Sequence, residues 1–317
     1  MANNRNYLIT GATGKVGKRV AEQLLSQGHQ VRVFGRNRDR LEPLVDMGAT
    51  PFVGDMWDQE SVSEAFRGVD AALLVAQGDR SSHDYRRDFA RSSENYATAL
   101  TSHGVKWAVF VSALGADDDR NRGVVLIHAD AERALNAVPG LNLVHLRAPI
   151  FFEDLFLYVS LIRQSGVLTW PISPQAFVDM GSTRDVADVA TDYLKKLEFH
   201  GKQLVELHGA PDVNMEKISG LISKAVGRTI PAKPATREAD IESMVAAGMG
   251  RDFSNLLNDA WDTFSRGLAR REKPDVSLPI QYQIEDFIRD EVAPVILNTN
   301  AGRASARVKL KLDENIS

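Results

Sequence analysis

Three glycines, Gly11, Gly14 and Gly17, follow the short apolar run Tyr7-Leu8-Ile9-Thr10 and precede a stretch with helical periodicity. In a strand–loop–helix setting such glycines permit a tight turn, a close backbone approach to a pyrophosphate, and close packing of helix on strand. The helix start adds N–H donors without intrahelical partners and a partial positive charge. The loop Gly11-Ala12-Thr13-Gly14-Lys15-Val16-Gly17 therefore reads as a dinucleotide phosphate site. A nucleotide-hydrolase phosphate loop would need G-x-x-x-x-G-K followed by Ser or Thr. Here Lys18 is followed by Arg19, so no hydroxyl stands ready for magnesium.

The second chemical signal lies about 20 residues on, where an NAD site carries an acid for the ribose 2′-hydroxyl. This chain has Val33-Phe34-Gly35-Arg36, with Arg38 and Arg40 beyond. A guanidinium at Arg36 suits a 2′-phosphate, so the expected cofactor is NADP(H).

These residues need a scaffold, and the patterning supplies one. Apolar runs at 7–10, 30–34, 50–53, 71–76, 105–112 and 141–146 alternate with amphipathic stretches at 16–27, 38–47, 85–102 and 124–137. Between Val53 and Ala71, Ser61-x-x-Glu64 suggests a capping box for a helix that Gly68 ends. Such alternation predicts an α/β fold, a doubly wound parallel sheet of Rossmann type with helices on both faces. After Pro149 the regularity weakens. A helix over 151–163, another opening at Gly181–Asp185, a strand over 203–207 and further helices over 214–268 predict a smaller, mostly helical lobe covering the substrate. The division expected is a cofactor-binding core over 1–150, remaining sheet elements and the lobe over 151–298, and a polar tail over 299–317 with little to bury.

Bulk properties narrow the function. The chain has 317 residues, 44% hydrophobic and 25% charged, with a net charge of −4, which provides no field to gather nucleic acid or an anionic membrane. It has no cysteine, which excludes disulfides, thiolate catalysis and Cys-ligated metal; no metal site is expected. Without a secretory segment at Met1–Asn6 or a run long enough to span a bilayer, a cytoplasmic protein acting on a small molecule is expected, with a homodimer possible.

With these residues in view, the chain resembles the NmrA-like group of atypical short-chain dehydrogenases/reductases. The likeness is carried by Gly11-Ala12-Thr13-Gly14-x-x-Gly17, Val31-Arg32-x-x-x-Arg36, Gly54-Asp55, Phe110-Val111-Ser112-Ala113-Leu114-Gly115-Ala116 and Leu146-Arg147-Ala148-Pro149-x-x-Phe152, over roughly residues 6–230. The resemblance implies that Asp55 and Met56 border the adenine and that Val75, Ala76 and Gln77 border the ribose; Pro149 joins the cofactor set. The group includes quinone, enone and triphenylmethane-dye reductases, ether and isoflavone reductases, and sensors that bind NADP(H) without turnover.

One departure from short-chain dehydrogenases concerns the Tyr-x-x-x-Lys pair, whose lysine lowers the tyrosine pKa for proton exchange. No tyrosine of this chain has lysine four residues later. The corresponding helix carries His128-Ala129-Asp130-Ala131-Glu132, with His128 and Glu132 on one face. The expectation is that His128 exchanges a proton near neutrality, that Glu132 orients it and favours its charged form, and that Ser112 contacts substrate. Aromatics after Pro149, namely Phe151, Phe152, Phe156, Tyr158, Trp170 and Phe177, would pack inward or line a flat apolar pocket. Asp117-Asp118-Asp119 reads as a solvated loop. The leading reading is an NADPH-dependent reductase of a planar apolar acceptor (quinone, enone or iminium). The alternatives are a non-catalytic redox sensor and a cofactor-retaining isomerase of specialised metabolism.

Overall fold

Along β1 (Asn6–Ile9), Tyr7 and Ile9 enter one buried cluster and Leu8 another, so the strand is covered on both sides. The structure, a computed structural model, describes residues 5–116, 118, 120–209, 213–266 and 275–298. The expected tail over 299–317, and Asp117 and Asp119 of the expected acidic loop, lie outside these residues.

From β1 the chain runs through α1 (Lys15–Ser26), β2 (Gln30–Gly35), α2 (Arg38–Val45), β3 (Thr50–Val53) and α3 (Gln59–Phe66). It continues through β4 (Ala71–Leu74), α4 (Tyr85–His103), β5 (Trp107–Ala113), α5 (Val124–Asn136) and β6 (Asn142–Ala148). Next come the short β7 (Ile150–Phe151), a 3₁₀ turn over Phe152–Leu155, α6 (Phe156–Ser165), β8 (Leu168–Trp170) and β9 (Met180–Gly181). The chain then returns to the sheet by α7 (Thr183–Lys196) and β10 (Lys202–His208). α8 (Met215–Val226), β11 (Ala232–Pro234), α9 (Arg237–Ala246) and α10 (Arg251–Ser265) build the lobe. β12 (Val276–Pro279), α11 (Ile284–Phe287) and α12 (Ala293–Leu297) complete the described chain, the last two joined by a π turn.

Eight strands form one sheet in the order β12-β10-β6-β5-β4-β1-β2-β3, and every adjacent pair is parallel. Alternation places Val109 and Val111 of β5 with helices α1, α2 and α7, while Ala108 and Phe110 pack with α3, α4 and α5. This is the doubly wound arrangement expected, and the pattern has a physical cause. Strands buried on both faces must be apolar throughout, with helices supplying the cover. A third cluster, from Phe152 and Tyr158 to Trp261 and Phe287, forms the lobe's own core. Phe253 of α10 joins the sheet-side cluster, which ties the lobe to the sheet.

The details differ from expectation in several places. The capping box at Ser61 and Glu64 is not formed. Asp58 caps α3 by accepting the Ser61 N–H, while the Ser61 hydroxyl accepts the Asp55 N–H. The expected helix over 151–163 is a strand residue, a 3₁₀ turn and then α6, because Asp154 turns back to accept the Phe151 N–H. The edge strand β12 was not anticipated; four residues beyond a long helical region give too short a period to read.

Candidate active site

The strand order reverses between β1 and β4, where connections leave for opposite sides and the sheet opens a crevice at its carboxyl edge. Thr10, fully buried, fastens that edge: its hydroxyl donates to the Leu73 carbonyl at 3.1 Å and accepts the Val75 N–H at 2.8 Å. The glycine loop then turns sharply. Gly11 has φ 61°, and a Cβ there would stand 2.9 Å from the Val75 Cβ, so only glycine fits the position. At Gly17 a Cβ would run into the Gly11 carbonyl. Gly14 caps α1 with no side-chain hydrogen bond, and the first turn of α1 carries no acid. By contrast, α2, α3, α4, α7, α8 and α9 each receive a side-chain cap. The donors at the start of α1 thus remain available to an anion.

A cavity of about 260 Å³ extends from this loop to the lobe. Of the sequence-predicted cofactor residues, Gly11, Gly14, Lys15, Val16, Gly17, Val75, Ala76, Gln77 and Pro149 line it. Thr13, Arg36, Asp55 and Met56 do not; they sit around the ends of β2 and β3. Thr13 packs beside Gly35, and the exposed Arg36 lies over the Trp57 ring at 4.9 Å. Asp55 accepts the Trp57 N–H at 3.0 Å, and the Met56 carbonyl accepts from the Asn95 amide at 2.9 Å. Trp57 connects this group to the cavity wall through its indole N–H on the Gln77 carbonyl at 3.0 Å. Tyr96 supports the same wall by donating to the Val75 carbonyl at 3.1 Å.

Ser112 and His128 line the cavity, but Glu132 does not serve His128 as expected. Its carboxylate accepts the Ser112 hydroxyl at 2.7 Å and holds the Arg147 guanidinium at 3.0 and 2.7 Å. Burial opposes ionisation of Glu132, yet the Arg147 hydrogen bonds and the His145 field keep its carboxyl below the ordinary range. The arrangement continues across the sheet: Arg147 faces Glu206 at 3.6 Å, and His208 bridges Glu206 at 3.3 Å and Asp179 at 2.9 Å. Asp179 and Glu206 hold the His208 imidazolium, pushing its pKa up to about 9. His128 goes the other way. Burial between the Phe89 and Phe110 rings pushes it down to about 4, with Glu132 only partly opposing. At neutral pH the ring is uncharged, which corrects the expectation of a proton exchanger near neutrality.

The apolar wall also comes from unexpected places. Of the aromatics singled out after Pro149, Phe151 lines the cavity. Phe152, Phe156, Tyr158 and Trp170 are buried in the lobe core, and Phe177 is exposed. Tyr85, Phe89, Leu257, Trp261 and Phe264 add aromatic and apolar surface to it, beside Val111, Val124, Val125 and Ile150. α10 comes this close because Gly123, at the start of α5, has φ 64°, and a Cβ there would collide with the Leu256 carbonyl. Two charged residues missed by motif reading also line it, Arg80 and Asp154. Arg80 lies over the Phe253 ring at 5.1 Å. Burial, with Glu153 alongside, pushes Asp154 up to about 7, against the pull of Arg80 and Lys15.

Residues 11–196 match the model of an NAD(P)H-binding family. Among curated proteins, the chain is 27% identical over 226 residues to the (4-alkanoyl-5-oxo-2,5-dihydrofuran-3-yl)methyl phosphate reductase of Streptomyces griseus, covering 70% of this chain and 74% of that one. It is 23% identical over 261 residues to quinone oxidoreductase 2 of Escherichia coli, covering 82% and 88%. Among solved structures, the triphenylmethane reductase of Citrobacter sp. superposes with a TM-score of 0.74 at 20% identity, covering 92% of this chain and 99% of that one. At that identity the likeness speaks for the fold alone.

Proposed function

We propose, from the premise that this chain belongs to the NAD(P)H-binding family, that it is an NADPH-dependent reductase of a planar, largely apolar acceptor of quinone, enone or iminium type. The observation that carries this reading is the cavity itself: one end is the glycine loop with the uncapped start of α1, the other an aromatic chamber under α10. The residues present fit a dinucleotide. The N–H groups after Gly14 suit the pyrophosphate, and the lack of an acid in the first turn of α1 avoids repelling it. Arg36, free to reach from its stack on Trp57, would take the 2′-phosphate, with Asp55 and Met56 near the adenine. Val75, Ala76 and Gln77 would border the ribose and Pro149 the nicotinamide end. When bound, the cofactor supplies a hydride.

The chain's own groups bind and orient the acceptor. Tyr85, Phe89, Trp261 and Phe264 offer flat apolar surface and exclude water around the reacting atoms. The neutral His128 ring is suited to a hydrogen bond with the acceptor, as a positioning contact rather than an acid. Ser112 is held by Glu132 and, through it, by Arg147, so Glu132 acts on the site by fixing Ser112. We place this activity in the cytoplasm; no described helix is long and apolar enough to cross a membrane.

The test follows NADPH absorbance with quinones, enones and iminium acceptors. Turnover with at least one class, and much less with NADH, is expected. NADPH binding with no oxidation by any class would overturn the proposal in favour of a sensor.

A further inference from the structure

Asp154 occupies the 3₁₀ turn five residues beyond Pro149, after the carboxyl end of β6, and lines the cavity that the glycine loop and the aromatic residues of the wall share. One carboxyl oxygen accepts the Phe151 N–H at 3.2 Å; no other hydrogen bond to this carboxyl is made among the described residues. We infer that Asp154 is the acid that delivers a proton to the acceptor's oxygen during reduction. The inference rests on the reductase reading above.

The other groups at the cavity are poorly placed for this task. The Ser112 hydroxyl already donates to Glu132. His128 is neutral over the physiological range, and burial raises the Tyr85 hydroxyl above its ordinary value. Lys15 lies over the Phe156 ring at 5.2 Å and faces Glu291 at 3.9 Å, at the start of the phosphate-binding helix. The charged and titratable groups acting on Asp154 are Glu153 on its own turn, Lys15 from α1, Arg80 from the loop after β4 and Tyr158 from α6; His128 lines the same cavity. Burial and Glu153 outweigh the two cations, so near neutrality both the acid and its conjugate base are populated, as a general acid requires.

The step balances. For an enone, the β-carbon gains a hydride with its electron pair from NADPH, and the carbonyl oxygen takes up the displaced electron pair. The Asp154 O–H breaks as the new O–H forms, and the carboxylate regains a proton from water. The net reaction consumes NADPH and H⁺ and yields the reduced acceptor and NADP⁺. A cationic triphenylmethane dye needs no such proton, because hydride addition to its central carbon completes the reduction.

Asp154→Asn keeps an oxygen for the Phe151 N–H and removes the proton. Single-turnover reduction of an enone by the variant should fall about 10²–10⁴-fold. The wild-type rate should decline as pH rises through about 7, and the variant should lack that limb. The loss with a cationic dye should be at least ~10-fold smaller than with the enone, because only the enone needs the proton. Carboxyl ¹³C spectra of the protein without cofactor should show one Asp signal titrating near 7 that is absent from the variant. Equal losses with both acceptors, an unchanged enone rate, or no such Asp signal would each overturn the inference. A wild-type protein inert with every acceptor would instead defeat the reductase reading itself.

Discussion

Arg36 stands exposed at the end of β2, with its guanidinium 4.9 Å from the Trp57 ring centre and the cavity wall one hydrogen bond further on. If it receives the 2′-phosphate, Arg36→Ala should weaken NADPH binding by about 1.5–3 kcal/mol and leave NADH nearly unchanged. Calorimetric titration of both cofactors checks this; equal losses for the two would contradict it. Arg147 invites a different test. Arg147→Met leaves Glu132 and Glu206 buried without their shared cation, so stability should fall by about 3–5 kcal/mol in denaturant titrations. At this scale the sequence was legible where spacing is local. Gly11, Gly14 and Gly17 lie within seven consecutive residues, and the conformation each needs follows from the strand before and the helix after. The partner of Glu132 was not legible. Arg147 arrives through the pairing of β6 with β5, and that long-range register outweighs the one-turn neighbour His128. Asp154 belonged to no motif; burial and the adjacent Glu153 raise its carboxyl, against Arg80 and Lys15, which folding brings near.

Among the elements, α10 carries Leu257, Trp261 and Phe264 onto the cavity, so under the proposed function it shapes the acceptor site. Gly123→Ala would collide with the Leu256 carbonyl and strain a φ of 64°. The expected result is a raised KM for the acceptor with NADPH affinity retained, because α1 and the glycine loop lie elsewhere. Loss of NADPH binding in a folded variant would contradict this division of labour. Strand β10, paired between β12 and β6, supplies a pH test. The His208 pKa is raised from 6.5 to about 9 by Asp179 and Glu206, so its stabilising contribution is complete below about 6.5 and lost as pH rises through about 9. Thermal melts of the wild type should lose stability over that window, by about 2 kcal/mol, and His208→Ala should show a flatter profile. The βα alternation to β6 was readable because buried parallel strands and amphipathic helices have different periods. Beyond Pro149, short strands such as β7, β9 and β12 carry too few residues for a period, and α10's role depends on a backbone contact with Gly123 that no local pattern encodes.

At the scale of the molecule, the eight-stranded sheet and the lobe share one cavity, lined by the glycine loop and by apolar and aromatic side chains. That arrangement is the basis for reading the protein as a reductase rather than as a cofactor-binding module alone. The most direct measurement is the fate of the hydride. NADPH carrying deuterium on the transferred C4 position should pass that label to the β-carbon of an enone, with the product analysed by mass spectrometry and NMR. The account predicts deuterium at that carbon, stoichiometric with NADP⁺ formed. NADPH that binds tightly yet leaves the deuterium on the nicotinamide, with every acceptor recovered unlabelled, would contradict it.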